Sequence, residues 1–174
     1  MKTVAIMQSN YIPWVGYFDI INRSDVFVLY DDMQYTRRDW RNRNKVKTPS
    51  GLKWLTIPAH AKGRYHQKIK DTEISDNQWS SRHWDMLRQN YRKAPHFSEV
   101  APVVQELYSR CAEWVSLSKV NHLFLSELCD YLDVDTTLKW SMNYELPEVD
   151  DPTERLIQLC QAAGGTHYLS GPSA

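Results

Sequence analysis

A run of polar and aromatic residues near the N-terminus has the spacing of a ligand-binding turn. It contains Gln8, Asn10 and Tyr11, and it lies between a short apolar run, residues 4–7, and a helical run that ends at Ile21. A turn from a buried strand into a helix aims side chains and free helix N–H groups at the carboxyl edge of a sheet, where open α/β folds bind small ligands. We therefore expect a ligand site at this turn.

The side chains of this turn divide into two groups of candidates. Gln8 and Tyr11 are candidate catalytic residues, since an amide and a phenol can orient a substrate. The alternative interpretation is an ordinary turn with a tryptophan packed beneath it. The candidate ligand-binding residues of the turn are Asn10, Trp14, Gly16 and Tyr17.

Residues 31–47 form a second candidate segment, in which two acids precede six Lys and Arg within eleven positions. Arginine binds phosphate or carboxylate with two parallel hydrogen bonds, so the segment suits an anionic, nucleotide-like ligand. A solvated charged loop is the alternative. Asp32 and Gln34 are candidate catalytic residues, and Asp31 with Asp32 could hold magnesium beside a phosphate. The candidate ligand-binding residues are Tyr35, Arg38, Trp40, Arg41, Arg43 and Asn44.

A loop of small residues follows the last predicted strand and adds Ser170, Gly171 and Ser173 as candidate contacts for phosphate or carboxylate. Among the six histidines, His66 and His167 are the two that we would test for catalysis. The sequence contains no dinucleotide-binding glycine motif, Walker loop, nucleophile elbow or Cys-x-x-Cys.

The composition excludes several classes of partner. The 21 basic and 21 acidic residues balance, which argues against a protein-wide field that would attract nucleic acid or an anionic membrane, so binding must be local. No apolar run is long enough to span a bilayer. The N-terminus also lacks the charged segment followed by an apolar segment that is typical of a signal peptide, so we expect a cytoplasmic protein. Its three cysteines are expected to be reduced core thiols.

The order of elements predicts an α/β fold with a parallel-sheet core. Short apolar runs alternate with helical segments, a hairpin is expected around residues 45–57, and a helical insertion spans about residues 80–132, with Ser118 as one N-cap. We expect one α/β domain over residues 1–174 that lacks a C-terminal segment. Its ligand cleft should lie over the strand ends and bring Gln8, Tyr11, Gln34 and Ser170 together.

Several segments of the chain resemble the WbqC-like protein family. They are residues 8–18, 24–28, 31–35, 43–58, 153–157 and 168–173, which together extend over essentially the whole chain. The resemblance implies a role in the synthesis of O-antigen, capsule or another surface polysaccharide, including the decoration of amino sugars. Ser9 stands where the family usually has proline.

The first turn also resembles that of pantoate–β-alanine ligases and related nucleotidylyltransferases. This likeness is much weaker: the spacing of residues 11–17 and the segment 31–35 resemble two motifs of those enzymes, but Trp14 and Tyr17 replace two histidines, so the likeness does not imply adenylyl transfer by the same groups. The likeness implies a nucleotidylyltransferase-like, Rossmann-related core, and ATP with magnesium as cofactors to test.

Three functions remain open from the sequence. The leading hypothesis is an enzyme that forms an amide on a nucleotide-linked amino sugar, by acyl or aminoacyl transfer or by ATP-dependent ligation. The second is a non-catalytic accessory protein that binds the sugar nucleotide or a similar small anion, and the third is a scaffold. The sequence leaves the sugar, the donor and the oligomeric state undetermined.

Overall fold

A four-stranded parallel sheet forms the centre of the fold, in a computed structural model that describes residues 1–171. Its strands lie in the order β5-β2-β1-β6. The strands are β1 (Thr3–Met7), β2 (Val26–Leu29), β5 (Thr137–Trp140) and β6 (His167–Leu169). The predicted α/β class and parallel core are confirmed. Strand β2 is buried throughout, and a short apolar strand of this kind needs helices on both faces of the sheet.

The remaining elements cover this sheet or extend from one side of it. A separate antiparallel hairpin pairs β3 with β4, and a helical region follows, as the sequence predicts. The elements are α1 (Val15–Asn22), β3 (Arg43–Thr48), β4 (Gly51–Thr56), α2 (Trp79–Tyr91), α3 (Phe97–Arg110), α4 (Leu117–Tyr131) and α5 (Pro152–Ala162).

The topology reverses beside β1. The chain moves from β1 through β2 to β5 on one side, then crosses to place β6 on the other. Such a switch point leaves a crevice at the carboxyl edge of a parallel sheet. Gln8 and Ser170, which follow β1 and β6, are the residues that the fold brings to this crevice.

Helix α4 joins two parts of the core. Leu125 and Cys129 pack towards the sheet with residues of α1 and β2. Leu117 and Phe124 pack instead with the hairpin and the helices α2 and α3. The sequence predicts Ser118 as the N-cap of this helix, but Ser116 has that position, and its side chain accepts a hydrogen bond from the Lys119 N–H at 3.4 Å.

The entry into β6 requires glycine for a steric reason. A Cβ on Gly165 would lie 2.6 Å from the side chain of Val4 and 2.7 Å from the sulfur of Cys160. These distances are shorter than van der Waals contact, so the backbone can approach β1 this closely only without a side chain. The approach sets β6, and therefore Ser170, against β1.

His83 makes the fold sensitive to mild acid. Its Nε2 donates to the Thr56 carbonyl at 3.2 Å, so Nδ1 of the neutral ring accepts from the Tyr11 hydroxyl, 2.9 Å away. Burial, with a smaller contribution from Arg82, lowers the pKa of His83 to about 4. The unfolded chain takes up this proton near the ordinary pKa, about 6.5, so stability falls as the pH drops between these values.

We expect His83 to account for up to about 3 kcal/mol of lost stability between pH 7 and pH 4. Urea unfolding of the wild type and of His83→Gln at several pH values measures this contribution. The variant should lose clearly less stability over the same range. Parallel pH profiles for the two proteins would contradict the assignment.

Candidate functional site

A buried polar network occupies the carboxyl edge of the sheet where β1 and β2 end. Asp31 accepts hydrogen bonds from the backbone N–H of Ser9 at 2.9 Å and from its hydroxyl at 2.8 Å. The Ser118 hydroxyl of α4 donates to the same carboxylate. The amide of Asn121 donates to the Ser9 hydroxyl at 3.0 Å and to the Arg41 carbonyl at 2.9 Å. Helix α4 thereby closes this part of the predicted cleft.

Asp31 is fully buried, and burial raises the pKa of its carboxyl while the hydrogen bonds from Ser118 and Ser9 lower it. Asp32 belongs to a different cluster, in which Ser141 donates to one oxygen and Arg155 lies 3.4 Å from the other. The structure therefore does not bring the two carboxylates together as the predicted magnesium pair. No group of three or more Asp, Glu, His or Cys within residues 1–171 is arranged to hold a metal ion.

Two predicted site tyrosines lie in the core. Tyr11 is fully buried, and its hydroxyl lies 2.5 Å from that of Tyr108 as well as near His83. Tyr17 is also fully buried and donates to the carbonyl of Gln8 at 2.9 Å. The prediction that Tyr11 meets Gln34 in an open cleft is wrong, because a side chain with no exposed surface cannot line one.

Other predicted residues hold the first turn against the basic segment. Asn10 is buried, and its side-chain oxygen accepts a hydrogen bond from Arg41. The guanidinium of Arg41 also lies 3.7 Å from Asp39. Asn44 donates its side-chain amide to the carbonyl of Ile12, which has a positive φ of 44°. The side chains of Arg41 and Asn44 therefore bind other groups of the protein.

Trp14 and Gly16 remain at the surface at the start of α1. The indole of Trp14 is 53 % exposed, and it packs edge-to-face on Tyr17 with 5.7 Å between ring centroids. A Cβ on Gly16 would lie 2.5 Å from the Trp14 Nε1, so glycine is what allows this packing.

Ser170 is exposed, whereas Ser173 lies outside the described residues.

A basic groove lies beyond this edge, between the segment after β2 and the loop after β4. Its volume is about 360 Å³. The lining side chains include four cations and no carboxylate: Arg37, Arg38, Arg43 and Lys62. Burial raises the pKa of Tyr35 at the groove wall, while Arg37 and Arg43 lower it. The groove therefore presents a positive field in a partly desolvated setting, which favours an anion.

Two residues that line the groove carry buried polar atoms with no partner within the described chain. The Nε of Arg43 and the side-chain oxygen of Asn42 are buried and make no hydrogen bond. Asn42 is 6 % exposed and uses its amide N–H to bind the Ile57 carbonyl at 2.7 Å. Because buried polar groups normally have partners, this donor and this acceptor are candidates to bind water or a polar ligand.

A second cavity of about 250 Å³ adjoins the groove and shares Tyr35, Arg37 and Ala61 with it. Gln34 is exposed here and donates to the Tyr65 carbonyl at 2.6 Å. Arg64 lies in the same wall. The structure thus brings Gln34, Tyr35, Arg38 and Arg43 to one region, apart from Gln8 and Ser170.

Trp40 belongs to a neighbouring surface, where it lies 5.5 Å from the ring of Trp54. His66 is exposed in the loop after β4. His167 is on β6, with Nδ1 at 3.0 Å from the Thr166 hydroxyl. Neither histidine lines the groove.

Several residues at the groove and the sheet edge were not predicted from the sequence: two lie inside the segment 31–47, and the others come from distant parts of the chain. They are Arg37, Asn42 and Lys62 in the groove, and Ser118, Asn121, Ser141 and Arg155 at the sheet edge. One signal was present: residues 40–70 contain no Asp or Glu. The sheet-edge partners give no signal of this kind, because a serine or asparagine on a helix is ordinary.

Comparison with known proteins places the chain in a family. A model of the WbqC-like protein family matches residues 8–174. Uncharacterized protein Rv1507c of Mycobacterium tuberculosis is 52 % identical over 174 residues, which are 100 % of this chain and 74 % of the relative. No solved structure matches, and no helix within residues 1–171 is long and apolar enough to cross a membrane. The chain belongs to the WbqC-like protein family.

Proposed function

We propose that this protein acts in the biosynthesis of a cell-surface polysaccharide and binds a nucleotide-linked amino sugar in the basic groove. Membership of the WbqC-like family suggests the pathway. The observation that carries the ligand class is the groove lining, which has four cations and no carboxylate. A nucleoside diphosphate supplies the complementary charge, and its sugar supplies hydroxyl groups for neutral partners such as Asn42.

The cations of the groove differ in how far they are already fixed. Arg37 donates to the Ala61 carbonyl and lies over the ring of Tyr65, and Arg43 donates to the Arg38 carbonyl. Such anchored guanidinium groups lose little freedom when they bind a phosphate. Arg38 and Lys62 are exposed, so they can close on the ligand.

Amide formation is the reaction that we assign to an enzyme at this site. The amino group of the sugar attacks the carbonyl carbon of an activated acyl or aminoacyl donor, a C–N bond forms, the donor's leaving group departs, and the amine loses a proton. Asp32 lies outside the groove, at the sheet edge, where Ser141 and Arg155 hold its carboxylate. It is the candidate to orient the amine of a sugar that extends from the groove to this edge. ATP with magnesium, and a nucleotidylyltransferase-like core, belong to this hypothesis if the donor is activated in place.

A non-catalytic accessory protein is the second candidate. The residues that line the groove and its neighbouring cavity include no carboxylate and no imidazole, so neither cavity holds an ordinary proton acceptor near neutral pH. This observation favours binding without chemistry in the groove itself.

One screen distinguishes the two candidates. Nucleotide-linked amino sugars are incubated with the protein, ATP, magnesium and small carboxylic or amino acids, or with preformed acyl donors, and products are read by mass spectrometry. A mass increase that corresponds to amide formation, lost in Asp32→Asn while sugar-nucleotide binding persists, supports the enzyme. Clear binding without any product supports the accessory role, and absence of binding contradicts both.

Arg38→Ala is expected to weaken binding of a nucleoside-diphosphate sugar by about 1.5–3 kcal/mol, the cost of a charge-assisted hydrogen bond left unmade. Arg38→Lys should recover part of this, because an ammonium cannot reproduce the planar fork. Arg92→Ala, an equal loss of charge on an exposed residue after α2, serves as the control. Calorimetric titration measures all three. Equal affinities for Arg38→Ala, Arg92→Ala and the wild type would refute the groove assignment.

A further inference from the structure

The hairpin β3–β4 has one face towards the core and one towards solvent. Val46 and Leu55 point inward and are buried. The opposite side, here called the outer hairpin face, pairs three basic residues of β3 with three residues of β4, since directly paired residues point to the same side of a sheet. The pairs are Arg43 with Thr56, Lys45 with Trp54, and Lys47 with Leu52.

This face combines apolar exposure with positive charge. Leu52 is 68 % exposed beside the hairpin turn, and Trp54 is 40 % exposed. Trp40, 43 % exposed, packs next to Trp54 and extends the aromatic surface. Large side chains at such exposure, in adjacent positions, are typical of an interaction surface and uncommon on an unpartnered one.

The charged residues are distributed unevenly along the chain. Residues 40–70 carry nine Lys and Arg and no Asp or Glu, although the whole chain has 21 of each sign. The rest of the protein is therefore strongly acidic. Three of the nine cations, Arg43, Lys45 and Lys47, lie on the outer hairpin face, so this face attracts an anionic surface.

We propose that the outer hairpin face docks on an anionic lipid bilayer. Lys45 and Lys47 would lie at the anionic head groups, where each basic residue near the surface adds attraction. Trp54 and Trp40 would lie at the boundary between head groups and acyl chains, the position that amphipathic aromatic rings prefer. Leu52 is the residue placed to enter the acyl region.

The arrangement of the aromatic rings favours lipid over a nucleic acid. Bases bind to proteins by stacking on free aromatic faces. The ring of Trp54 already carries the Arg43 guanidinium 4.0 Å from its centroid and the Lys45 ammonium at 4.8 Å. Leu52, the most exposed of the large apolar side chains here, gains free energy by burial in acyl chains and none beside a phosphate backbone.

Co-sedimentation of the whole chain with vesicles tests the proposal. Vesicles of phosphatidylglycerol mixed with phosphatidylcholine are compared with pure phosphatidylcholine, at low and high salt. We expect binding to the anionic vesicles that weakens with salt. Lys45→Glu with Lys47→Glu should lower the partition coefficient by about tenfold or more, and Leu52→Asn by roughly threefold.

Lys68→Glu with Lys70→Glu is the matched control, since it makes the same charge change within residues 40–70 but off this face. The control should bind clearly better than the Lys45/Lys47 variant, and circular dichroism establishes that both are folded. Equal loss in the two variants, or equal sedimentation with both kinds of vesicle, would overturn the proposal. Tight binding to a single-stranded oligonucleotide without vesicle binding would assign the face to nucleic acid instead.

Discussion

Tyr11→Ala is expected to lower the free energy of unfolding by about 3–5 kcal/mol, the cost of removing a large buried aromatic side chain. Tyr11 is fully buried against Trp79, Phe124 and Tyr108, with edge-to-face geometry to the first two. Urea unfolding at pH 7 measures the change.

Tyr11→Phe separates packing from chemistry. It keeps the ring and removes the hydroxyl that lies between His83 and Tyr108, so we expect a loss of about 1–2 kcal/mol. Tyr131→Ala, an exposed tyrosine at the end of α4, is the control and should cost less than about 1 kcal/mol. If Tyr11→Phe stays as stable as the wild type but loses sugar-nucleotide binding or surface polysaccharide, the core role is wrong and Tyr11 belongs to the site.

Local patterns explain why the elements could be predicted. The apolar runs of β1 and β2, the glycine pair after α5 and the hairpin turn at residues 48–51 each act over a few neighbouring residues. Short-range geometry decides such features, so one sequence is sufficient to place them within a few positions. The parallel pairing of β1 with β2 also follows, because a short crossover through α1 connects them.

The location of the site could not be predicted in the same way. The first turn holds the expected polar and aromatic residues, but α4 packs over it, and Ser118 and Asn121 satisfy the groups that would otherwise face a ligand. These hydrogen bonds join residues more than 85 positions apart in the chain, and such a contact cannot be recognised from the local sequence pattern. Tyr11 shows the same limit, since an amphipathic side chain suits a cleft and a polar core equally well.

The basic segment was easier to interpret because charge is not readily buried. The guanidinium groups of arginines that follow a strand must reach solvent or a partner. Residues 37–43 accordingly contribute part of the groove lining. Even so, the sequence could not separate Arg38 and Arg43, which line the groove, from Arg41, which Asn10 and Asp39 hold inside the protein.

Asp31→Ala is expected to cost about 3–4 kcal/mol of stability, because it leaves up to three donors from Ser9 and Ser118 without their acceptor. Asp31→Asn should cost much less, since the hydroxyl groups can rotate to accept from the new amide. Urea unfolding of both variants at pH 7 provides the comparison.

The pH dependence of the Asp31 variants is a separate readout. Burial raises the pKa of the Asp31 carboxyl, so the folded protein keeps this proton to a higher pH than the unfolded chain does. Its contribution to stability is therefore greatest in acid and is lost as the pH rises from the ordinary aspartate pKa to the raised one. Asp31→Asn should not show this loss. A melting temperature that rises with Mg²⁺ in the wild type but not in Asp31→Asn would show instead that Asp31 is a metal ligand, since a bound ion stabilises only a protein that still holds it.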